Sequence, residues 1–278
     1  MAASLRSVDE KRAAFRQLHA QGCFVLPNPW DVGSARMLQH LGFSALASSS
    51  SAFAWTGGRP DYAMELGDVL AHLERLCAAV DLPVNADFES GFAREPEAVA
   101  ANVRRAVATG VAGLSIEDRD IDRPSHLYEL PLAIERIRAT RAEIDRLGAN
   151  VVLVARTEGL LGDRRAVAPA IDRLVAFAAA GADCLYAPGV REKEDIAAMV
   201  RAVAPRPVNV LMSGPGLGLA ELAALGVRRV SVGGALARVA WAAVVDAATK
   251  MRDGSFAGLA AGIPGATLNE TFESFASH

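Results

Sequence analysis

Short apolar runs alternate along the whole chain with longer segments whose apolar residues recur every three or four positions. Most of these runs are continuously apolar, which is typical of parallel strands buried on both faces. Eight of them predict strands, which begin at Cys23, Ser44, Pro83, Ala112, Val151, Cys184, Pro207 and Arg228. The longer segments predict helices over Val32–Leu41, Glu65–Val80, Glu95–Thr109, Leu130–Leu147, Arg165–Ala180, Lys193–Val203, Gly218–Leu225 and Ala235–Met251.

Eight strand–helix units within 278 residues predict a (β/α)8 barrel of the TIM type. An open doubly wound sheet is the competing arrangement, but the even spacing and the number of units favour the barrel. Nothing in the composition marks a domain boundary, so residues 1–278 are predicted to form a single domain. A further helix near Asp9–Gln21 precedes the first strand and is expected to cap the barrel.

The C-terminal segment 254–278 lies beyond the eighth helix and contains the stretch "TLNETFESFA". This stretch predicts one more amphipathic helix, with Phe272 and Phe275 on one face and Thr267 or Asn269 as its N-cap. An apolar helix outside a completed barrel needs a surface that covers it. Exchange with a neighbouring subunit and docking on the same barrel are both compatible with the sequence, and we expect an oligomer.

Composition and charge reduce the number of function classes that the chain could belong to. The chain is 51% hydrophobic and carries a formal net charge of −3 without a basic stripe, so no nucleic-acid partner is expected. No apolar run reaches the roughly 20 residues of a membrane span, and the N-terminus lacks the apolar core of a secretory signal. The three cysteines, Cys23, Cys77 and Cys184, are far apart and predict reduced thiols in a cytoplasmic protein.

Polar side chains follow the predicted strands at the ends where barrel enzymes place their active sites. They are Ser48, Ser49, Ser50, Asn85, Asp87, Glu89, Glu117, Asp118, Arg156, Tyr186 and Asn209. Carboxylate and amide oxygens without a nearby Cys or His pair suit Mg²⁺ or Mn²⁺. Arg156 supplies a planar fork for a carboxylate, and the serine run offers donors for a second oxyanion. Although any single acid could be a helix N-cap, the set predicts a pocket for a small carboxylate that chelates a metal.

These residues resemble the isocitrate lyase / phosphoenolpyruvate mutase superfamily over nearly the whole chain. The resemblance is carried by "GFSALASSSSAFAWTGGRPD", "VNADFESGF", "LSIED", "VARTEG" and "PVNVLM". It implies a (β/α)8 barrel whose C-terminal helix is exchanged between subunits in a homodimer or homotetramer. It also implies that carbon–carbon or carbon–phosphorus bonds are formed or broken next to the carbonyl of a 2-oxo acid, with Mg²⁺ as cofactor.

The resemblance assigns individual roles by position. Ser48, Ser49 and Ser50 would bind the substrate carboxylate, and Asp61 would lie beside the metal and its waters. Asp87 would be the metal ligand, and Glu117 would reach the metal through water. Arg156 would clamp the substrate, and Asn209 would lie in the pocket.

Two positions depart from the superfamily pattern. Asn85 replaces the first aspartate of the Asp-Ala-Asp segment; its amide oxygen can still coordinate, and Glu89 could restore the missing charge. Ser125 falls where the lyases carry their acid/base cysteine, and a serine hydroxyl is a poor proton shuttle near neutral pH. The neighbouring His126 could take over proton transfer. The polar segment Arg119–Leu127 is predicted to be a mobile lid over the site.

Three functions are compatible with these residues. The first is metal-dependent carbon–carbon cleavage of a 2-oxo acid or related carboxylate through an enolpyruvate-type intermediate. Because the lyase cysteine is missing, decarboxylation of an oxaloacetate-like acid or an unusual lyase reaction is favoured. The second is phosphonopyruvate hydrolysis or phosphoenolpyruvate mutase chemistry, although no separate Lys or Arg cluster is available for a phosphonate. The third is a 2-oxo acid binding protein with weak turnover, which Asn85 and Ser125 would mark.

Overall fold

The strands form one parallel sheet in the computed structural model, which describes residues 6–161 and 167–275. The strands are β1 (Phe24–Leu26), β2 (Leu46–Ala47), β3 (Val84–Asp87), β4 (Gly113–Glu117), β5 (Val152–Arg156), β6 (Cys184–Tyr186), β7 (Val208–Leu211) and β8 (Arg229–Ser231). The helices are α1 (Val8–Ala20), α2 (Val32–His40), α3 (Ser50–Thr56), α4 (Leu66–Ala79), α5 (Pro96–Ala108), α6 (Leu130–Arg146), α7 (Val167–Ala179), α8 (Lys193–Val203), α9 (Leu219–Ala224), α10 (Ala235–Arg252) and α11 (Gly265–Glu273). The predicted start of the seventh helix at Arg165 lies outside the described residues.

The sheet curls into a nearly closed barrel. Each strand from β2 to β7 pairs in parallel with the next one in the chain, and β8 pairs in parallel with β1. The remaining gap between β1 and β2 is bridged by a hydrogen bond from the Ala47 backbone N–H to the Pro27 carbonyl at 3.1 Å. The predicted (β/α)8 fold is therefore confirmed, because helices alternate with the strands around the sheet.

Helix α1 fills one end of the barrel. The Phe15 side chain is completely buried among residues that point into the barrel. A Cβ atom on Gly113 would lie 2.6 Å from Phe15 Cε1 and 2.6 Å from Asn85 Oδ1. Only glycine therefore fits at the start of β4, where the backbone passes close to both side chains.

The serine run contains a helix that the sequence pattern did not predict. The second predicted strand extended through the serines, whereas β2 ends at Ala47 and α3 begins at Ser50. Ser49 is the N-cap, and its side chain accepts a hydrogen bond from the Ala52 backbone N–H at 3.3 Å. Serine favours this position because its hydroxyl satisfies an otherwise unpaired helix N–H.

The C-terminal segment folds into a 3₁₀ turn, Ala257–Ala261, followed by α11. The predicted N-caps Thr267 and Asn269 are wrong, because α11 begins at Gly265 with Pro264 at the cap position. Proline is compatible with this position because its ring fixes φ at a value that suits the start of a helix.

Helix α11 packs against α2 of the same chain. The Phe272 ring lies against Gly33, with 4.0 Å between its Cζ atom and a Cβ built on the glycine. The Arg36 guanidinium lies 5.4 Å from the centroid of the Phe275 ring. Docking on its own barrel, one of the two predicted arrangements, is thus the arrangement in this single chain.

All three cysteines are free thiols, with Cys77 and Cys184 buried and Cys23 half-buried. Over residues 6–161 and 167–275, none of the helices combines the length and apolarity needed to cross a bilayer.

Candidate active site

A cavity of about 140 Å³ opens at the carboxyl ends of the strands. Its lining includes Asn28, Ser48, Ser49, Ser50, Asp61, Asn85, Asp87, Ser115, Arg156, Tyr186, Arg229 and Ser231. Residues from seven different strands or the loops after them meet here because parallel strands in a barrel end at the same rim.

Arg156, the last residue of β5, is the centre of the charged side chains. Its Nη1 lies 3.2 Å from Asp87 Oδ1 and 3.3 Å from Glu117 Oε2. Its Nε donates to the Glu158 carboxylate, and its guanidinium lies 5.3 Å from the centroid of the Tyr186 ring. Burial by itself lowers the pKa of Arg156, but the three carboxylates raise that pKa well above its usual value. The guanidinium is therefore permanently charged and rigidly held.

Register explains why these groups meet. Glu117 on β4 is the direct neighbour of Arg156 on β5, and Arg156 is the direct neighbour of Tyr186 on β6. Asp118, the next residue after β4, accepts hydrogen bonds from Thr157 Oγ1 at 2.7 Å and from the Glu158 backbone N–H at 2.9 Å. Asp118 thus fixes the segment that carries the carboxylate partner of Arg156.

Asp87 is oriented by the serine run. Its Oδ2 accepts a hydrogen bond from the Ser50 backbone N–H at 2.9 Å, and its own backbone N–H donates to Ser48 Oγ at 2.9 Å. Ser49 caps α3. In this structure the three serines therefore position Asp87 and the helix, and the donors predicted for a substrate carboxylate are engaged with protein groups.

The carboxylates around Arg156 outnumber that single cation. Glu117 Oε1 is buried and has no hydrogen-bond partner among the described residues. Burial, more than any other cause, raises the pKa of Glu117 well above its ordinary value. Burial and the neighbouring Asp87 likewise raise the pKa of Asp61, whose Oδ1 accepts from the Tyr62 backbone N–H at 3.0 Å. A buried oxygen without a partner and crowded acids are the surroundings that a cation would stabilise.

Glu89 is also affected by this crowding. Burial, and then the charges of Asp87 and Asp61, raise its pKa to about 8. It has a positive φ of 47°, within the turn that reverses the chain after β3. Its backbone carbonyl accepts a hydrogen bond from the Glu117 N–H at 3.0 Å, which ties the turn to β4.

Substituting Glu89 by glutamine is expected to change how stability depends on pH. Between pH 4.5 and about 8 the folded protein keeps a proton on Glu89 that the unfolded chain releases, so stability falls as the pH rises through this window. The total fall is on the order of a few kcal/mol, and Glu89→Gln should lose it. Urea unfolding in EDTA from pH 5 to 8.5 measures the slope. The exposed Glu135→Gln should keep the wild-type slope, and an equal slope in Glu89→Gln would contradict the assignment.

The predicted metal ligands differ in how they are placed. In the described part of the chain, no three His, Cys, Asp or Glu side chains converge on a common metal position. Asp87 and Glu117 do meet at Arg156 Nη1, and two carboxylates suffice for Mg²⁺ when waters and substrate complete its shell. Asn85 is committed elsewhere: its Oδ1 accepts from Arg229 Nη1 at 3.3 Å, and its Nδ2 donates to the Ala86 carbonyl at 3.0 Å.

Asn209 is completely buried and is not part of the cavity lining. Its Nδ2 donates to Ser231 Oγ at 3.0 Å, and its Oδ1 accepts from Arg229 Nε at 2.9 Å. The predicted pocket asparagine therefore contacts two cavity residues and holds them in place.

The predicted lid is the segment Arg119–Leu127. Its first and last residues are joined by an isolated antiparallel β-bridge. The Arg119 guanidinium lies 3.4 Å from the centroid of the Tyr62 ring, which connects the segment to the loop that carries Asp61. Ser125 and His126 are exposed and joined by a 3.0 Å contact between Oγ and Nδ1. Neither side chain lines the cavity in this arrangement.

Asn28 and Arg229 are among the cavity residues that the sequence reasoning missed. Asn28, after β1, donates to the Ser48 carbonyl at 2.9 Å and accepts from the Val232 and Gly233 N–H groups at 2.9 and 2.8 Å. It joins the loops after β1, β2 and β8, and its place at a strand end was a signal that could have identified it. Arg229 is a charged residue at the start of a buried strand, and this too was a visible signal.

A (β/α)8 barrel with buried carboxylates and a fixed arginine at its carboxyl rim is typical of barrel enzymes, whose active sites lie at that rim. The family model of phosphoenolpyruvate phosphomutase matches residues 15–252. The chain therefore belongs to this family and is an enzyme of the superfamily that its residues resembled.

Solved structures and curated relatives agree with this membership. A Burkholderia cenocepacia protein assigned to the lyases or mutases superposes with a TM-score of 0.93 at 46% identity, covering 96% of this chain and 97% of that one. Oxaloacetate acetylhydrolase in complex with its product oxalate superposes with a TM-score of 0.84 at 29% identity, covering 94% and 93%. Oxaloacetate decarboxylase of Paraburkholderia xenovorans is 27% identical over 275 residues, which cover 95% of this chain and 88% of the relative.

Proposed function

We propose that this protein cleaves a carbon–carbon bond in a small 2-oxo acid, with decarboxylation of an oxaloacetate-like acid as the preferred reaction. The size of the cavity supports the proposal most directly. Its 140 Å³ is below the roughly 300–1,000 Å³ of pockets for drug-sized ligands, so it favours a short acid over a branched tricarboxylate. The names of the decarboxylase and acetylhydrolase relatives, which both act on oxaloacetate, point to the same class of substrate.

We propose Mg²⁺ or Mn²⁺ as the cofactor, with Asp87 as the direct ligand and Glu117 as a ligand through water. The buried Glu117 Oε1 without a partner and the raised pKa values of the neighbouring acids support this choice. Asn85 is left out of the ligand set because Arg229 already occupies its amide oxygen. A bound divalent ion would supply a Lewis acid that withdraws electrons from the 2-oxo group.

The protein's own groups would perform the remaining steps. Arg156 would hold the substrate carboxylate and stabilise the negative charge that develops when carbon dioxide leaves. Asp61 lines the cavity, and its raised pKa keeps a larger protonated fraction near neutral pH. It is therefore the group that would return a proton to the carbon atom from which carbon dioxide has departed. The segment Arg119–Leu127 would exclude water during this step.

One panel of substrates tests the proposed reaction. Turnover of oxaloacetate, phosphonopyruvate and methylisocitrate is measured with Mg²⁺ and with EDTA, and we expect metal-dependent release of carbon dioxide from oxaloacetate. Turnover of phosphonopyruvate alone would replace the proposal with carbon–phosphorus chemistry. Binding of oxalate with Mg²⁺ but no turnover of any of the three would indicate a binding protein.

We propose that the protein is an oligomer, because α10 leaves an apolar face uncovered. Only Ala237 of its 18 residues is buried. Trp241 and Val245, which are four residues apart and therefore on one face, are 48% and 61% exposed, and Phe256 in the following turn is 69% exposed. A second copy of the chain would cover this face, and a contact there would place the C-terminal segments of two subunits side by side.

Introducing a charge into this face is expected to dissociate the oligomer. Light scattering should give wild type a mass of two or four chains of 29.1 kDa, and Val245→Glu should give one chain, because a carboxylate buried without a partner is costly. Val175→Glu is the matched control, since Val175 is 43% exposed on α7. A monomeric wild type, or an unchanged mass for Val245→Glu, would overturn this contact.

We also propose a cytoplasmic location, with which the free thiols are compatible.

A further inference from the structure

Arg229 is a buried cation for which the proposed reaction has no use. Arg229 is only 3% exposed, yet it lines the cavity at the carboxyl rim. No Asp or Glu within residues 6–161 and 167–275 forms an ion pair with it. Burying a guanidinium without a counter-charge is costly, so such a group is a candidate for binding an anion.

The groups around Arg229 hold it in place without neutralising it. Nε donates to Asn209 Oδ1 at 2.9 Å, and Nη1 donates to Asn85 Oδ1 at 3.3 Å. Both acceptors are uncharged amides. The arrangement fixes the direction of the guanidinium and leaves its whole charge available.

A third neutral group completes the support. His19 Nδ1 lies 2.8 Å from the Phe15 carbonyl, which can only accept, so Nδ1 carries the hydrogen and Nε2 is the acceptor. Nε2 lies 3.5 Å from Arg229 Nη1. Burial, and then the charge of Arg229, lower the pKa of His19 to about 3, so the imidazole stays neutral.

The remaining nitrogen, Nη2, has no hydrogen-bond partner in the part of the chain that the structure describes. The cavity is lined by two cationic residues, Arg156 and Arg229. Arg156 is already paired with three carboxylates. Arg229 is therefore the cation in this cavity whose charge is uncompensated.

We propose that Arg229 binds a second carboxylate of the substrate at the floor of the cavity, so that the enzyme selects dicarboxylic over monocarboxylic 2-oxo acids. Because this ligand would occupy the proposed active site, the assignment depends on the proposed function. Arg229 would then be the residue that distinguishes substrates of equal chain length by their second carboxylate. Asn85 contributes by being neutral, since an aspartate at this position would neutralise the guanidinium.

Two ligands that differ only in the terminal group test the assignment. (S)-Malate ends in a carboxylate where (S)-2-hydroxybutyrate ends in a methyl group, and their affinities are measured by calorimetry with Mg²⁺, with oxalate as a third ligand. Wild type is expected to prefer malate. Arg229→Gln should reduce this preference by at least about tenfold, the size of a charge-assisted hydrogen bond, while oxalate affinity changes by less than about threefold.

Two further variants keep the test decisive if Arg229→Gln does not fold. Arg229→Lys retains the charge and should retain a preference for malate. Asn85→Asp places a carboxylate beside Arg229 and should reduce the preference without loss of folding, as followed by circular dichroism. A wild type that binds oxalate but does not prefer malate, or an Asn85→Asp variant that keeps the full preference, would overturn the role of Arg229. A wild type that does not bind oxalate with Mg²⁺ would instead overturn the proposed active site.

Discussion

Replacing Arg156 by alanine is expected to abolish oxalate binding and to lower kcat/KM for oxaloacetate by at least about a thousandfold. The guanidinium is the cation that meets both Asp87 and Glu117 at the rim, and the proposed reaction develops negative charge beside it. Its removal also leaves three carboxylates without their shared cation. We therefore expect a loss of folding stability of about 3–5 kcal/mol, measured by urea unfolding alongside the oxalate titration.

Arg156→Lys separates the two effects of this change. A lysine keeps the positive charge but lacks the planar fork that contacts several carboxylates at once. It should recover most of the stability and still lose about a hundredfold in kcat/KM. Arg138→Ala is the control, because Arg138 forms an exposed helical ion pair with Glu135 at 2.7 Å, and such pairs contribute at most about 1 kcal/mol. Unchanged oxalate affinity in Arg156→Ala would contradict the role of Arg156 as substrate clamp.

Asp87→Asn is expected to remove metal binding together with activity, by at least about a thousandfold in kcat. The asparagine oxygen can still accept from the Ser50 N–H, so the local fold should persist. One carboxylate less also relieves the crowding that raises the pKa of Glu89 and Asp61. The variant should therefore be as stable as wild type in EDTA while losing the increase in Tm that Mg²⁺ gives to wild type.

The increase in Tm is the decisive measurement because it reports binding of the metal without requiring turnover. A ligand that binds only the folded state raises Tm in proportion to the logarithm of its concentration over Kd. Asp172→Asn, an exposed acid on α7, should keep the wild-type shift. An Asp87→Asn variant that still shows the full shift with Mg²⁺ would exclude Asp87 as the direct ligand.

The elements of the barrel could be predicted from the chain because their signals are local. A continuously apolar run identifies a buried strand, and a three- or four-residue period identifies the helix that covers it. Helix α3 escaped this reasoning because Ser50–Thr56 is too short to show a period. The caps of α11 were misplaced because prolines and glycines before Thr267 permit more than one starting point.

The site was predictable only in part. Asp87 and Arg156 were found because polar residues at strand ends must meet at one rim. The sequence could not show that Arg156 binds Asp87, Glu117 and Glu158 at once, or that Ser50 holds Asp87. It also could not show that Asn209 and Asn85, which it predicted as substrate and metal ligands, both contact Arg229.

The sequence by itself determined the fold and the chemical types of group that gather at the rim, since these follow from periodicity and from residues at strand ends. Its motifs carried the resemblance that the family model over residues 15–252 confirmed. Only the tertiary structure decided which groups neutralise one another and which keep their charge. That outcome depends on strand register and on distances between residues far apart in the chain: Asn85 and Arg229 are 144 positions apart and form a buried hydrogen bond. Coulomb interactions and burial act over those distances, and no local pattern records them.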